Sequence, residues 1–205
     1  MAEVRRLPRG RHTLSREEVE ADQRLRILVG IAEAMAETGY AGTPIAAVLR
    51  HAGVSRESYY RAFTGKLDGF LAGFDLVADV LLAEMAAAVE VAGDPLERVD
   101  RALAAYLDTI AQHRAYARLF LVEAYAAGPE AIERRHVVQQ RIVAQLADAL
   151  GTRSEAGRFA CQTVVSAVSS LIVPPLVADD REAIAALGPV VSEHLHRLHA
   201  AGLLT

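Results

Sequence analysis

Helix-starting chemistry recurs along this chain so densely that strands have no room, and this decides the fold class. Ser15-Arg16-Glu17-Glu18 has capping-box spacing: the Ser15 hydroxyl can accept from the Glu18 amide while the Glu18 carboxylate reaches back. Ile27, Ile31, Ala34 and Met35 then recur at i, i+4, i+7 and i+8, which predicts a helix with one apolar face ending near Thr38, with Gly39 as a left-handed stop. Thr43-Pro44 offers a capping hydroxyl before proline at the first helical position, and Ile45, Val48 and Leu49 give the next, short helix its apolar face. Ala52-Gly53-Val54-Ser55 closes that helix and caps a third one running to about Phe63. Longer helices are expected over Leu67 to Val91, Asp94 to Gln112, His113 to Ala127, Pro129 to Leu150, Ser154 to Val173 and Asp180 to Ala201. Gly93, Gly128-Pro129, Gly151 and Pro174-Pro175 punctuate them, and Pro189 should split or kink the last. No run alternates apolar with polar residues, so the fold is expected to be all-α with about nine helices.

Composition narrows the class further. At 52% hydrophobic and 23% charged over 205 residues, the chain is too apolar for a disordered tail and long enough for a sizeable core. The single Cys161 excludes an internal disulfide and a four-cysteine zinc site, which fits a reducing cytoplasm. No apolar stretch follows the arginines of residues 1–13, so no signal peptide is expected. Residues 159–178 carry no charge, but Gln162, Thr163, Ser166, Ser169, Ser170 and the proline pair argue for a helix buried against protein rather than a membrane span. The formal net charge is −4, unevenly spread. Up to Phe70 there are 11 basic residues against nine acidic, and Arg50 to Lys66 is a short basic stretch around a turn where an anion could dock.

Two short helices across a tight glycine turn, the second one basic, match what the major groove of B-DNA accepts, a width of about 12 Å that admits one α-helix. The second helix reads Ser55-Arg56-Glu57-Ser58-Tyr59-Tyr60-Arg61. Its first turn offers an arginine able to bond guanine bidentately, a carboxylate able to accept from cytosine, and a hydroxyl able to serve either.

From Arg24 to about Phe70 the chain resembles the tetracycline-repressor (TetR) family of bacterial regulators. The residues carrying the likeness are Ile27-Leu28, Gly39-Tyr40, Thr43 to Ile45, Ala52 to Ser55, Tyr60, Phe63 and Lys66. The resemblance implies a helix-turn-helix DNA-binding domain over residues 1–66 and an effector-binding and dimerisation domain over 67–205. It implies that Arg56, Ser58 and Tyr59 face bases, that Thr43, Tyr60 and Lys66 face phosphates, and that Arg9 and Arg11 belong to a basic arm. Tyr59 could equally be core. Ala62 departs from the Tyr or His usual there, Leu49 from a smaller alanine, and Gly30 from a helix-forming alanine.

The same resemblance implies a homodimer sealed by the last two long helices, with Val164, Val168, Leu171, Leu195 and Leu198 in the seam. It also implies a pocket for a small, mostly apolar effector, for which Tyr106, Tyr116, Phe120, Glu123, Tyr125, Phe159 and Gln162 are the candidate lining residues. Each of these could instead be ordinary core. His196 and His199 share a helix face, but His194 points elsewhere and no Asp or Cys completes a zinc site, so neither metal nor cofactor is expected. No nucleophile or paired-carboxylate constellation supports catalysis. The expected function is a ligand-responsive regulator, acting as a repressor, that reads a palindromic double-stranded operator. The alternative is a small-molecule-binding helical protein with weakened DNA binding.

Overall fold

The computed structural model describes residues 15–90 and 93–204. Among them every regular element is helical: α1 (Arg16–Gly42), α2 (Ile45–Ala52), α3 (Arg56–Ala62), α4 (Lys66–Val89), α5 (Pro95–Gln112), α6 (Arg114–Arg118), a π-helical turn (Leu119–Glu123), α7 (Ala124–Ala127), α8 (Pro129–Leu150), α9 (Glu155–Val177) and α10 (Arg181–Ala200). The stretch 114–127 is one continuous helical run containing the π turn. The fold is all-α, as the sequence suggests.

The starts follow from local chemistry. Capping boxes form at Ser15 with Glu18 and at Asp94 with Glu97, while Ser55, Ser154 and Asp180 cap α3, α9 and α10 through their side chains. Two ends differ from expectation. Gly39 does take positive φ (71°), but with ψ 168° it kinks α1 rather than closing it, and one more turn follows to Gly42. Pro174-Pro175 do not stop α9, which continues to Val177. Proline removes the donors that would reach the carbonyls of Ser170 and Leu171, and both residues are exposed, so water can satisfy those acceptors. Likewise Pro189 lies inside α10, which runs unbroken.

The chain divides into two compact units, Met1–Gly73 and Phe74–Thr205, so the division falls within α4, seven residues beyond the expected boundary at Lys66. In the first unit, Ile27, Ile31, Met35, Val48, Tyr59, Phe63 and Phe70 form the core. In the second, Phe74 stacks on Phe120 at 4.9 Å between ring centroids, and Leu119, Leu121, Ile172, Leu176 and Ile184 are fully enclosed. Helix α9 has the length and hydropathy of a membrane span, by composition only, but it packs against α8 and α10.

Candidate nucleic-acid interface and ligand cavity

The interface is built from the broken end of α1. The Thr43 hydroxyl lies 2.6 Å from the Gly39 carbonyl, 3.2 Å from that of Ala34 and 2.8 Å from the Thr38 hydroxyl, and the residue is only 1% exposed. It therefore ties off the kinked end of α1. Helix α2 starts at Ile45, behind Pro44, with no side-chain cap. Thr43 is thus corrected: a hydroxyl spent inside the unit cannot reach a phosphate.

Lys66 has a similar internal task. Its ammonium donates to the carbonyls of Tyr40 (2.7 Å) and Thr43 (3.1 Å) and sits 4.3 Å over the Tyr40 ring. Two of its three N–H donors thus go to carbonyls at the end of α1 and just beyond it, adding to the Thr43 amide that already reaches the Tyr40 carbonyl at 3.3 Å. The expected phosphate role is corrected to that of a clamp joining the start of α4 to the end of α1.

Across the turn, Gly53 adopts φ 63° and ψ 35°, the left-handed conformation expected of it. The Ser55 hydroxyl accepts the Ser58 amide at 3.1 Å, and α3 follows. Tyr59 is fully buried, its hydroxyl donating 3.0 Å to the Gly65 carbonyl and its ring against Phe63, so it is core and not a base-facing residue. Burial, reinforced by Tyr60 and Asp68, pushes its pKa up to about 12, which keeps the phenol neutral. Arg24 fixes the other end of α3, donating to the Ala62 carbonyl at 3.3 Å with its guanidinium over Phe63.

With Tyr59 and Phe63 facing inward, Arg56, Glu57, Tyr60 and Arg61 face solvent and Ser58 is half-buried. Arg61 is paired with Glu57 at 2.7 Å. Arg50 is exposed on α2. His51 lies 3.5 Å from both Glu33 and Glu37 and joins the end of α2 to α1. Helix α3 is thus a short basic ridge seated on an aromatic base. Arg9 and Arg11 lie outside the described residues.

The second unit holds a cavity of about 470 Å³, bounded by α4, α5, α8, α9 and α10. Its walls are mostly aliphatic, including Val89, Leu103, Ile142, Val165 and Val168, with Tyr106, Gln145, Ser169 and Arg98 as the inner polar groups and Glu90 and Asp148 at the rim. Of the candidate lining residues only Tyr106 is there. Phe120 is packed against Phe74, and Glu123 is buried 4.0 Å from Arg118. Tyr116 stands edge-on to His113, while Tyr125 is exposed beneath Arg135. Gln162 and Phe159 are exposed on the outer face of α9. Arg98, Gln145 and Ser169 went unnoticed because three separate helices supply them, and no spacing within one helix signals that.

A shallow apolar groove runs between α9 and α10 on the outside. Phe159, Leu171, Val190 and Leu203 stand exposed along it, at 70, 52, 67 and 54%. Val164, Val168 and Leu198 also line it, whereas Leu195 is buried and faces the cavity instead, which corrects its expected place in a seam. His196 bonds Asp100 at 2.9 Å, and the described residues contain no cluster of three potential metal-ligating side chains.

Residues 27–72 match the family of bacterial regulatory proteins, tetR family. Among curated proteins none matches the chain by sequence. Solved structures match over most of the chain at low identity. The fatty acid degradation regulator FadR of Bacillus halodurans is 17% identical, with TM-score 0.71 over 82% of this chain and 95% of its own. FadR of Bacillus subtilis, solved in complex with stearoyl-CoA, is 16% identical with TM-score 0.70 over the same shares. A TetR-like regulator from Rhodococcus sp. RHA1 is 17% identical with TM-score 0.69, covering 96% of this chain and 100% of that one.

Proposed function

We propose, from the match of residues 27–72 to the tetR family of bacterial regulatory proteins, that the chain is a DNA-binding transcriptional regulator of that family, a cytoplasmic homodimeric repressor released from a palindromic operator by a small, mostly apolar effector. The observation that carries this reading is the seating of α3. Tyr59 and Phe63 hold the helix from below, so Arg56 and Tyr60 are presented outward on a rigid base. An arginine in the first turn of such a helix is placed to reach base edges, and the uncapped amides at the start of α2 offer an anion site for a phosphate. One short helix reads too few bases alone, and two copies related by a two-fold axis supply the rest. The exposed row Phe159, Leu171, Val190 and Leu203 supports pairing through α9 and α10. The cavity in the second unit supports an effector site, and a protein of the same fold solved with stearoyl-CoA supports a ligand with a long apolar part.

The test is a fluorescence-anisotropy titration against duplexes from the gene's own upstream region. Arg56→Ala should cost about 1–3 kcal/mol of discrimination at one base position per half-site and leave binding to random duplex nearly unchanged. Equal affinity for every duplex, unaltered by Arg56→Ala, refutes base reading. In the same preparation Leu171→Glu should convert dimer to monomer in light scattering. A second reading, ligand binding with weakened DNA affinity, is favoured by Ala62 and by the internal engagement of Thr43 and Lys66. Absence of operator protection beside retained ligand binding would select it.

A further inference from the structure

Buried polar atoms in a folded protein are almost always hydrogen-bonded, so a cluster of exceptions in one place calls for an explanation. The Tyr106 hydroxyl, the Gln145 side-chain oxygen and the Arg98 Nε are all buried without a hydrogen-bond partner, and all three residues line the same cavity. Tyr106 is 5% exposed, and burial holds its phenol above the usual tyrosine range, so the hydroxyl keeps its proton. Ser169 lies beside it without completing a bond of good geometry. The rest of the Arg98 guanidinium is committed, donating 3.0 Å to the Ala149 carbonyl.

These atoms specify the complement they lack. The Gln145 oxygen needs a donor, Arg98 Nε needs an acceptor, and the Tyr106 hydroxyl can serve as either. One group that both donates and accepts satisfies them, while the aliphatic walls require the remainder of the molecule to be apolar. Charge on the ligand is opposed from both sides. Two carboxylates, Glu90 and Asp148, line the rim, and Arg98 is the only cation among the described lining residues, so the rim disfavours an anionic head group and Arg98 itself disfavours a cation. A volume of about 470 Å³ lies within the range of about 300–1,000 Å³ usual for small-molecule sites. We propose that the effector is an uncharged, largely apolar molecule bearing a hydroxyl that Tyr106, Gln145 and Arg98 bind together. This rests on the reading of the cavity as the effector site and sets the chain apart from a regulator of anionic acyl thioesters.

The experiment is calorimetric titration of the full-length protein at pH 7 with four probes sharing one alkyl chain: decanol, decyl methyl ether, decanoate and decyltrimethylammonium. Decanol is expected to bind at least about tenfold more tightly than either charged probe, and more tightly than the ether, which cannot donate. Gln145→Leu should weaken decanol by about fivefold to tenfold and leave the ether unchanged, while Tyr106→Phe should weaken both. Each variant removes an atom that is unpaired in the free protein, so neither should lower the melting temperature, and this separates recognition from folding. Decanoate or the ammonium probe binding as tightly as decanol, decanol failing to bind, or decanol affinity indifferent to both substitutions overturns the proposal. Operator binding by the unliganded protein is read separately. If it is intact while decanol fails, only the hydroxyl assignment falls; if a charged probe binds instead and releases DNA, the effector reading survives without it.

Discussion

Gly30→Ala is a substitution for which helix propensity and packing give opposite signs, so its outcome tests the packing account directly. Position 30 lies inside α1, where alanine is favoured over glycine by about 1 kcal/mol. Here, however, α2 crosses close by. A Cβ at Gly30 would lie 2.8 Å from the Ala52 amide nitrogen, 2.9 Å from the Ala52 Cβ and 3.0 Å from the Val48 carbonyl oxygen. Two of those three atoms are backbone, so no side-chain rotation relieves the clash and α2 must move as a body. Overpacking of this kind costs about 1–3 kcal/mol. Taking the upper half of that range, because backbone yields least, the net effect after the propensity gain is a loss of about 1–2 kcal/mol. At about 2–4 °C per kcal/mol for a chain of this size, the melting temperature should fall by roughly 2–8 °C in scanning calorimetry. Adding Ala52→Gly removes only the Cβ contact, so the double variant should recover part of the loss and not all of it. A melting temperature equal to or above that of the parent protein would show that α1 and α2 can separate freely, and the reasoning would fail.

Other consequences follow from the same unit. Thr43→Val keeps the shape but removes a buried hydroxyl that bonds carbonyls, so urea unfolding should show a loss of about 1–3 kcal/mol. Lys66→Gln should lower thermal stability while leaving the salt dependence of DNA binding nearly unchanged, since the ammonium is committed to the carbonyls of Tyr40 and Thr43; a flattened salt slope with unaltered stability would return it to the phosphates. Tyr59 supplies a pH dependence: its folded pKa of about 12 lies above the ordinary value of 10.0, so the unfolded chain loses this proton first. The stability it contributes is present below pH 10 and is lost as pH rises towards 12, and Tyr59→Phe should flatten that alkaline decline in equilibrium unfolding.

What the sequence revealed and what it hid divide along a physical line. Caps such as Ser15, Asp94, Ser55 and Ser154 were legible because each bond closes within three residues of its origin. The turn at Gly53 was legible for the same reason. Thr43 was misread because a Thr-Pro pair serves equally well as an N-cap or as a buried tie, and the choice depends on where the preceding helix breaks. Lys66 was misread because its partners lie 23 and 26 residues away. Tyr59 and Tyr60 are adjacent in a seven-residue helix too short for a clear periodicity to say which of them points inward. The cavity was least legible, since residue type alone selected Phe120 and Tyr125, which turn to other surroundings, and missed Gln145 and Arg98, which converge only once α5 and α8 have packed.

The proline pair in α9 carries a consequence for assembly. It deprives the carbonyls of Ser170 and Leu171 of their helical donors on the side of the rod where Leu171 and Val177 also stand bare. In the homodimer proposed above, hydrocarbon alone would let the rods slide past one another, because greasy contacts are indifferent to small displacements. A pair of thirsty oxygens is not indifferent: an alignment that strands them in a dry spot is penalised, and one that supplies water or a donor is not. In that proposed pairing, those two atoms are the notch that sets where the subunits lock.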